Sequence, residues 1–253
     1  MLISFTKLVN KYTLKITGVS HFGAHKGQEV KSYKENGINN IHLFEPQTNV
    51  FEFLSYKFQD VDGINLYNFG LGDSDELMML NLEKNNDGMS SSILQPLEHK
   101  KYYPDIEFNE TEQVNIKRYE DLGITNVNFL NIDIQGFELE ALKGCGDKLS
   151  KIDYIYIEIN RKELYLNNPH VSEIDNYLRN YDFIRVKTIW ASSNLPFGDA
   201  LYIKKENLSK KYILLCNMKS LFWSTGLFYI FIDFFRTIKK FLIKIRNYLK
   251  TIV

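Results

Sequence analysis

The residues best placed to do chemistry follow an apolar run, Val127–Ile132, that ends on the carboxylate of Asp133. After two more residues, Gly136 opens a segment with helical spacing, Phe137, Leu139, Ala141 and Leu142, which Gly144 closes. This order predicts a buried strand, a tight turn and a short helix. Ligands of open α/β sheets bind beyond the carboxyl ends of the strands, so Asp133 and Glu138 are candidates to face a ligand. Glu138 is equally well explained as an acid that the helix dipole stabilises.

The first predicted strand, Leu14–Phe22, leads into a turn that could cradle a cofactor. Gly23 and Gly27 flank this turn, where glycines let a ligand approach the backbone and a following helix supplies free N–H groups. The turn lacks the Gly-Lys-Ser/Thr end of a P-loop and the third spaced glycine of a dinucleotide site. His21 and His25 supply polar groups that suit a zwitterionic adenosyl ligand at least as well as a pyrophosphate. A plain tight turn is the alternative.

Acids also follow the second and third predicted strands. Glu45 comes after Ile41–Phe44, where a carboxylate can accept both hydrogen bonds of a ribose diol. Gly72 and Asp73 come after Ile64–Leu71, where Asp73 could meet the exocyclic amine of an adenine. A solvated loop acid is the alternative for each carboxylate. Together these strand ends favour a cofactor that contains a nucleoside.

The elements that must hold these residues alternate along the chain. Strand patterns at 14–22, 41–44, 64–71, 127–133 and 152–159 are separated by helical patterns at 28–36, 49–58, 137–142 and 171–178. This order predicts an α/β fold with a mostly parallel sheet and helices on both faces. Segments 183–189 and 200–204 predict an antiparallel pair at the sheet edge. An excursion, 75–120, interrupts the alternation; strand patterns at 76–82 and 114–119 flank its polar middle part.

Length and charge suggest how the chain is organised. Its 253 residues suit one α/β domain with an appendage. Two cysteines, Cys145 and Cys216, have no metal-type spacing and favour a reducing compartment, and the polar N-terminus predicts no signal peptide and a cytoplasmic location. From Ser209 onward, nine Lys/Arg stand against one acid, so the tail carries +8 and residues 1–208 carry −8. We therefore predict a catalytic domain, 1–208, and a basic helical tail, 209–253.

The motifs resemble those of the FkbM-type methyltransferases, a branch of the class I S-adenosylmethionine-dependent enzymes. The matching segments, in the family's order, are Gly23-Ala-His-Lys-Gly-Gln-Glu29, Phe44-Glu-Pro46, Gly70-Leu-Gly-Asp73, Ser90-Ser-Ser92, Asp133-Ile-Gln-Gly-Phe-Glu138, Leu142-Lys-Gly144, Tyr156-Ile-Glu-Ile-Asn160 and Gly198-Asp-Ala200. The resemblance covers residues 15–205 and implies a Rossmann-like class I methyltransferase fold with S-adenosylmethionine as cofactor. It also implies methylation of hydroxyl oxygens, often on sugars.

The resemblance assigns the cofactor residues. Residues 23–27 would cradle the methionine part, Glu45 the ribose and Asp73 the adenine. Class I enzymes often carry an acid where this chain has His21, so Asp133 could take over the contact to the methionine amino group. The expected cofactor set is therefore His21, Gly23, Ala24, His25, Gly27, Glu45, Gly72, Asp73 and Asp133.

The implied reaction needs positioning and a base. Methyl transfer from a sulfonium is an in-line displacement, so most of the catalysis can come from positioning the acceptor oxygen. A base that accepts the hydroxyl proton adds a factor of about 10²–10⁴. Asp133 is the first candidate, because it ends the strand nearest the expected methyl position, and Glu138, Glu158 and Asn160 are the others. These oxygens could also hold a divalent cation, but we expect no metal.

Acceptor-binding residues are expected in three places. Trp190 and Asp199 lie where edge strands could frame a pocket, and aromatic faces suit sugars. Ser91 and Ser92 lie in the polar excursion and could belong to a lid, and Asn160 lies at the end of a strand. A packing tryptophan and a polar turn are the alternatives.

The tail has the pattern of a membrane anchor. Segment 221–235 is apolar, but its fifteen residues fall short of the about 20 that a span needs. Behind it, apolar residues at helical spacing lie between lysines and arginines, as in a basic amphipathic helix. We expect 221–253 to bind an anionic membrane surface and to make the protein peripheral on the inner face of the cytoplasmic membrane. A helix packed on the body or on a partner subunit, in an oligomer, is the alternative.

The sequence thus predicts an O-methyltransferase that acts on a sugar hydroxyl of a surface glycan or glycolipid precursor. Its partners would be a glycan or lipid-linked sugar acceptor, and no nucleic acid. One alternative is a nucleotide-cofactor-dependent sugar-modifying enzyme, against which the absent third glycine argues. The other is a non-catalytic membrane scaffold with the same fold.

Overall fold

The computed structural model describes residues 1–209 and Ile213, and the compact body that carries the site comprises Met1–Asn207. Its strands are β1 (Val19–Phe22), β2 (Ile41–Phe44), β3 (Ile64–Tyr67), β4 (Gly70–Leu71), β5 (Glu76–Glu83), β6 (Phe108–Lys117), β7 (Phe129–Ile132), β8 (Tyr154–Asn160), β9 (Phe183–Trp190) and β10 (Phe197–Lys204). Its α-helices are α1 (Phe5–Tyr12), α2 (Val30–Glu35), α3 (Thr48–Phe58), α4 (His99–Tyr102), α5 (Glu138–Gly144) and α6 (Val171–Arg179).

The main sheet has seven strands in the order β3-β2-β1-β7-β8-β10-β9. Strands β1, β2, β3, β7 and β8 are parallel, and β10 runs antiparallel to both β8 and β9. The chain moves outward from β1 to β3 on one side and from β7 to β8 on the other. The order therefore reverses between β1 and β7, where open α/β sheets bind their ligands. The predicted mostly parallel sheet with an antiparallel edge is confirmed.

The central strands are buried because both of their faces are covered. Every residue of β1, β2, β7 and β8 is buried. Such continuous burial is typical of parallel strands with helices on both sides. One covering helix, α1, had no counterpart in the predicted elements; its Phe5 ring lies 4.8 Å from the ring of Tyr33 and 5.3 Å from that of Phe129.

The predicted third strand, 64–71, is wrong as a single element. Its first part is β3 of the main sheet, whereas its last two residues form β4 in a second sheet of order β4-β6-β5. The chain turns at Asn68, whose side-chain amide donates to the carbonyls of Glu45 (3.0 Å) and Pro46 (3.2 Å). The excursion predicted at 75–120 contributes β5 and β6 to this second sheet.

The predicted tail, 209–253, lies outside the described residues apart from Ser209 and Ile213. Among the helices that the structure does describe, none is long and apolar enough to cross a membrane.

Candidate active site

The turn after β1 joins the ends of three strands. The N–H groups of Gly23 and Ala24 both donate to the carbonyl of Phe44, at 3.0 and 2.9 Å. Gly23 has a φ of +77°, and a Cβ at this position would lie 2.0 Å from the carbonyl oxygen of Asp133. Only glycine permits both the conformation and the approach. The turn therefore brings the ends of β1, β2 and β7 together.

Glu45 is buried at the end of β2, beside this turn. Its two carboxylate oxygens accept N–H groups from His25 and Gln47, each at 2.9 Å. Burial raises the pKa of Glu45 to about 7, although the two N–H bonds oppose the shift. Each carboxylate oxygen has a second lone pair, so Glu45 can still accept two ligand hydroxyls.

Glu45 faces a cavity that we name the β2 cavity. Its remaining walls are mostly apolar, and they include Phe44, Leu71, Leu80, Ile93, Ile116 and Phe137. A narrow apolar slot beside a carboxylate suits a flat aromatic base attached to a ribose.

A second cavity, the β1 cavity, has a volume of about 190 Å³ and shares Gly23 and His25 of the turn with the β2 cavity. Its lining includes Ala24 and many polar residues, among them His21, His25, Glu29, Asp133, Tyr156, Glu158 and Asp199. Burial lowers the pKa of His21, although the charges of Glu29 and Asp133 oppose the shift. Burial alone would raise the pKa of Glu29, but the charges of His21 and the N-terminal ammonium hold it below its ordinary value.

The third and largest cavity, the outer cavity, has a volume of about 610 Å³. Asp133, Glu158 and Asp199 lie on its inner wall, and residues of the excursion, from Asn85 to Ile106, form its outer wall. Asp133 also lines the β1 and β2 cavities. Met89 lines all three cavities as well, so the cavities meet beside Asp133 and Met89.

Gln135 links Asp133 to Glu158. Its side-chain amide donates to Asp133 Oδ1 at 2.8 Å and to Glu158 Oε2 at 3.1 Å. Its amide oxygen accepts the hydroxyl of Tyr165 at 3.0 Å, and its backbone adopts a left-handed φ of +54°. Burial raises the pKa of Glu158 well above its ordinary value, and the charge of Asp133 raises it further. The pair therefore holds a single negative charge more readily than two.

Glu138 was predicted as a catalytic candidate, but the structure turns its carboxylate toward the backbone. Oε1 accepts the N–H groups of Ile134 (3.2 Å) and Gly136 (3.0 Å), which closes the turn before α5. Burial raises the pKa of Glu138 to about 7. Glu138 is not among the residues that line the three cavities. Its geometry matches the alternative that we weighed, an acid at a helix N-terminus.

Gly72 and Asp73 are not among the residues that line the β2 cavity, and the expected contact of Asp73 with an adenine stays a prediction. Asp73 is exposed, and its carbonyl accepts the guanidinium of Arg118 at 2.9 Å. Gly72 packs closely on α5. Its carbonyl oxygen lies so near Gly144 that a Cβ at Gly144 would be only 1.7 Å away from it. The division of the predicted strand into β3 and β4 explains this placement, since the last two residues leave the main sheet before Asp73.

Gly27 also lies away from the cavities. A Cβ at this position would approach the ring of Phe58 to 2.5 Å, so Gly27 allows the cofactor turn to pack on α3.

The hydroxyl groups of Ser91 and Ser92 both donate hydrogen bonds to other groups of the protein. Ser91 donates to the side chain of Gln47 (3.1 Å), and Ser92 donates to the carbonyl of Gln135 (2.6 Å). Their segment lies over the cofactor turn, where the carbonyl of Asp87 is 2.7 Å from His25 Nε2. Ser91 also lines the β2 cavity, and the role of this segment as a lid stays a prediction.

The three remaining acceptor residues differ in where they lie. Asp199 lines the outer and β1 cavities and accepts the Leu2 N–H at 2.6 Å and the hydroxyl of Tyr156. Trp190 lies outside both cavities, and the guanidinium of Arg161 stacks 3.6 Å from its ring centre. Asn160 is fully buried, and its side-chain amide has no hydrogen-bond partner among the described residues.

Several residues of the site were not singled out in the sequence. Gln135 lies inside the Asp-x-Gln-Gly-x-Glu segment, and the motif itself was the available signal. The other residues missed were Glu29, Phe137, His99 and Tyr103. The last two come from the excursion, whose pattern gave no indication of which residues turn inward.

Comparison with known proteins agrees with this geometry. Residues 21–185 match the model of the methyltransferase FkbM domain. The chain is 24% identical over 154 residues to the 2-O-methyltransferase NoeI of Sinorhizobium fredii, across 57% of this chain and 63% of NoeI. Its fold is similar to that of the FkbM methyltransferase of Methylobacillus flagellatus, with a TM-score of 0.50 and 16% identity over 74% of this chain and 43% of that protein.

The chain thus spans less than two thirds of the length of either relative. The family match nevertheless covers more than half of the chain and includes the cofactor turn, Glu45, Asp133 and Glu158. The chain therefore belongs to the methyltransferase FkbM domain family, the family of S-adenosylmethionine-dependent methyltransferases that its motifs predicted.

Proposed function

We propose that this chain transfers the methyl group of S-adenosylmethionine to a hydroxyl oxygen of a sugar in a glycan or glycolipid precursor. The observation that carries the proposal is the position of Asp133, which lines all three cavities. A cofactor in the β1 and β2 cavities would present its methyl group where the outer cavity begins. The similarity to NoeI, a 2-O-methyltransferase, supports oxygen as the acceptor atom.

The residues of the inner cavities fit the cofactor. Glu45 would accept the ribose hydroxyls, and the apolar slot of the β2 cavity would hold the adenine. The acids of the β1 cavity, Glu29 and Asp133, match the positive charge of the methionine amino group. When bound, S-adenosylmethionine supplies an electrophilic methyl carbon next to a positively charged sulfur.

The side chains on the inner wall of the outer cavity would handle the proton. As the oxygen–methyl bond forms and the methyl–sulfur bond breaks, the hydroxyl proton passes to Asp133. Gln135 holds the Asp133 carboxylate at 2.8 Å, so its free oxygen keeps one orientation toward the acceptor. Because the pKa of Glu158 is raised, Glu158 can stay protonated while Asp133 carries the negative charge of the pair. The proton then leaves Asp133 for solvent.

We also propose that the basic tail, 221–253, attaches the protein to the inner face of the cytoplasmic membrane. The support comes from the sequence alone, in which nine Lys/Arg stand against one acid after residue 208. A membrane-attached enzyme would meet lipid-linked sugars there.

Transfer of a radiolabelled methyl group tests the proposed reaction. The purified chain is incubated with methyl-labelled S-adenosylmethionine and a glycolipid extract of the producing cells, with Asp133→Asn as the matched control. We expect label in the glycan fraction that resists mild base, as an ether does and an ester does not. Label in protein or nucleic acid instead would contradict a sugar acceptor, and equal labelling by Asp133→Asn would remove Asp133 from the mechanism.

A further inference from the structure

The outer cavity is large enough to hold a sugar ring, and the excursion between β5 and β6 supplies its far wall. The volume of about 610 Å³ falls in the range of small-molecule sites. Asn85, Asn86, Tyr102, Tyr103 and Asp105 all belong to the excursion. The inner wall carries Asp133, so a molecule bound here would lie beside the proposed base.

The charged side chains among the described residues that line this cavity are acidic. Four carboxyl side chains line it, those of Asp105, Asp133, Glu158 and Asp199, whereas no lysine or arginine is among its described lining residues. The α-ammonium of Met1 also lies there, but it is paired with Glu29 at 3.3 Å. Like charges that face one another without a partner are strongly disfavoured, so an anionic ring would be repelled. Carboxylates and amides accept hydroxyl hydrogens well, as an uncharged polyol requires.

Three neighbouring aromatic rings line the same cavity. The ring of Tyr103 lies 5.1 Å from that of His99 and 6.3 Å from that of Phe197. All three residues line the cavity. Such faces can pack on the apolar C–H face of a sugar while the neighbouring acids bind its hydroxyls.

His99 contributes a buried polar side chain to the lining of the outer cavity. The residue is 3% exposed, and its Nδ1 has no hydrogen-bond partner among the described residues. Burial lowers the pKa of His99, so the ring is neutral at pH 7 and can either donate to or accept from a hydroxyl. A buried polar atom without a partner is unusual in a folded protein, and a ligand hydroxyl would satisfy it directly or through a water.

We infer that the outer cavity is the acceptor subsite and that it takes an uncharged sugar ring, not a uronic acid or a phosphorylated sugar. Tyr103 and His99 are its recognition residues, and the acids exclude anions. The assignment of the bound sugar as the methyl acceptor rests on the proposed function. The sugar binding itself can be measured without methyl transfer.

The test compares neutral oligosaccharides with the same oligosaccharides after oxidation of their primary hydroxyls to carboxylates. Binding to the full chain is followed by saturation-transfer NMR with S-adenosylhomocysteine present. We expect the neutral member of a pair to bind about tenfold more tightly, because the carboxylate would face the acids of the cavity. Equal or tighter binding of the oxidised sugars, or no binding of any neutral one, would overturn the inference.

Two variants and a control locate the binding. Tyr103→Ala should weaken the neutral sugar about tenfold, and Asp105→Lys should improve the oxidised sugar about threefold, as expected for a charge on the rim. Tyr56→Ala, at a tyrosine that is 76% exposed on α3, should change neither. If Tyr103→Ala and Tyr56→Ala bind alike, the sugar does not use this cavity. Sugar binding that depends on Tyr103 without any methyl transfer would instead contradict the proposed function and leave the subsite intact.

Discussion

At the scale of single residues, the protonation of Glu45 should control cofactor affinity. Its pKa of about 7 is raised by burial, and ribose hydroxyls would donate to its ionised form. Below pH 7 the free enzyme carries Glu45 mostly in its protonated form. Cofactor binding requires the ionised form, so binding must then release a proton and becomes weaker. Between pH 8 and pH 6 the Kd of S-adenosylhomocysteine should rise about tenfold.

Isothermal titration over this pH range checks the prediction, with Glu45→Gln as the control. The amide cannot ionise, so this variant should bind more weakly at pH 8 and show little change toward pH 6. A variant that kept the full pH dependence would assign it to another group.

Gln135 should act as a positioning residue for Asp133 and Glu158. Gln135→Ala removes both amide hydrogen bonds, and misplacement of the base should lower kcat by about 10²-fold. Without the bridging amide, two carboxyl groups would face each other directly, so the acid limb of the pH–rate profile should move to higher pH. The Kd of S-adenosylmethionine should change little.

A change in stability alone would not produce that pH shift. Tyr165→Phe is the matched control, because it removes the hydroxyl that bonds the amide oxygen of Gln135 (3.0 Å) and the carbonyl of Ser90 (2.9 Å) but leaves both carboxylate bonds of Gln135 in place. It should retain most of the activity. An unchanged pH profile in Gln135→Ala would show that the amide does not organise the pair.

The sequence could locate the acids of the site but not the direction in which their side chains turn. Glu45, Asp133, Glu158 and Asp199 were found because each lies at or near a strand end. Glu138 has the same chemistry, yet the turn through Gly136 closes on its carboxylate. That choice depends on backbone dihedrals, and residue type alone does not reveal them.

At the scale of elements, the contact between β4 and α5 leaves no space at Gly144. A Cβ there would lie 1.7 Å from the Gly72 carbonyl oxygen, so Gly144→Ala must push α5 away from the strand. We expect a loss of unfolding free energy of about 3 kcal/mol. Chemical denaturation monitored by circular dichroism measures it.

Gly37→Ala is the control for this substitution. Gly37 has a φ of +79°, but nothing lies within 4 Å of a Cβ there, so only backbone strain of about 1 kcal/mol is expected. Equal losses in the two variants would mean that α5 can move without cost.

Elements with strong hydrophobic patterns could be predicted, and those that depend on distant contacts could not. Strand β2 matches its predicted bounds, because an apolar run with clear ends determines a buried parallel strand. The break between β3 and β4 depends on Asn68 binding the carbonyls of Glu45 and Pro46, which are distant in sequence. Helix α1 and the inward-facing residues of the excursion are likewise set by tertiary packing.

At the scale of the whole molecule, the basic tail should govern membrane attachment. Deletion of residues 212–253 should abolish co-sedimentation with liposomes that contain anionic lipid, since each basic residue near such a surface contributes about 1 kcal/mol. Neutral liposomes should bind the full chain weakly. Equal sedimentation of the truncated and full chains would refute the anchor.

The central claim is that the reversal point between β1 and β7 binds S-adenosylmethionine, and calorimetric titration of the full chain tests it most directly. The account predicts binding of S-adenosylmethionine and S-adenosylhomocysteine that Glu45→Ala weakens strongly and Tyr56→Ala leaves unchanged. It predicts no comparable binding of a nicotinamide dinucleotide. No heat with S-adenosylmethionine, together with tight binding of the dinucleotide, would contradict the account.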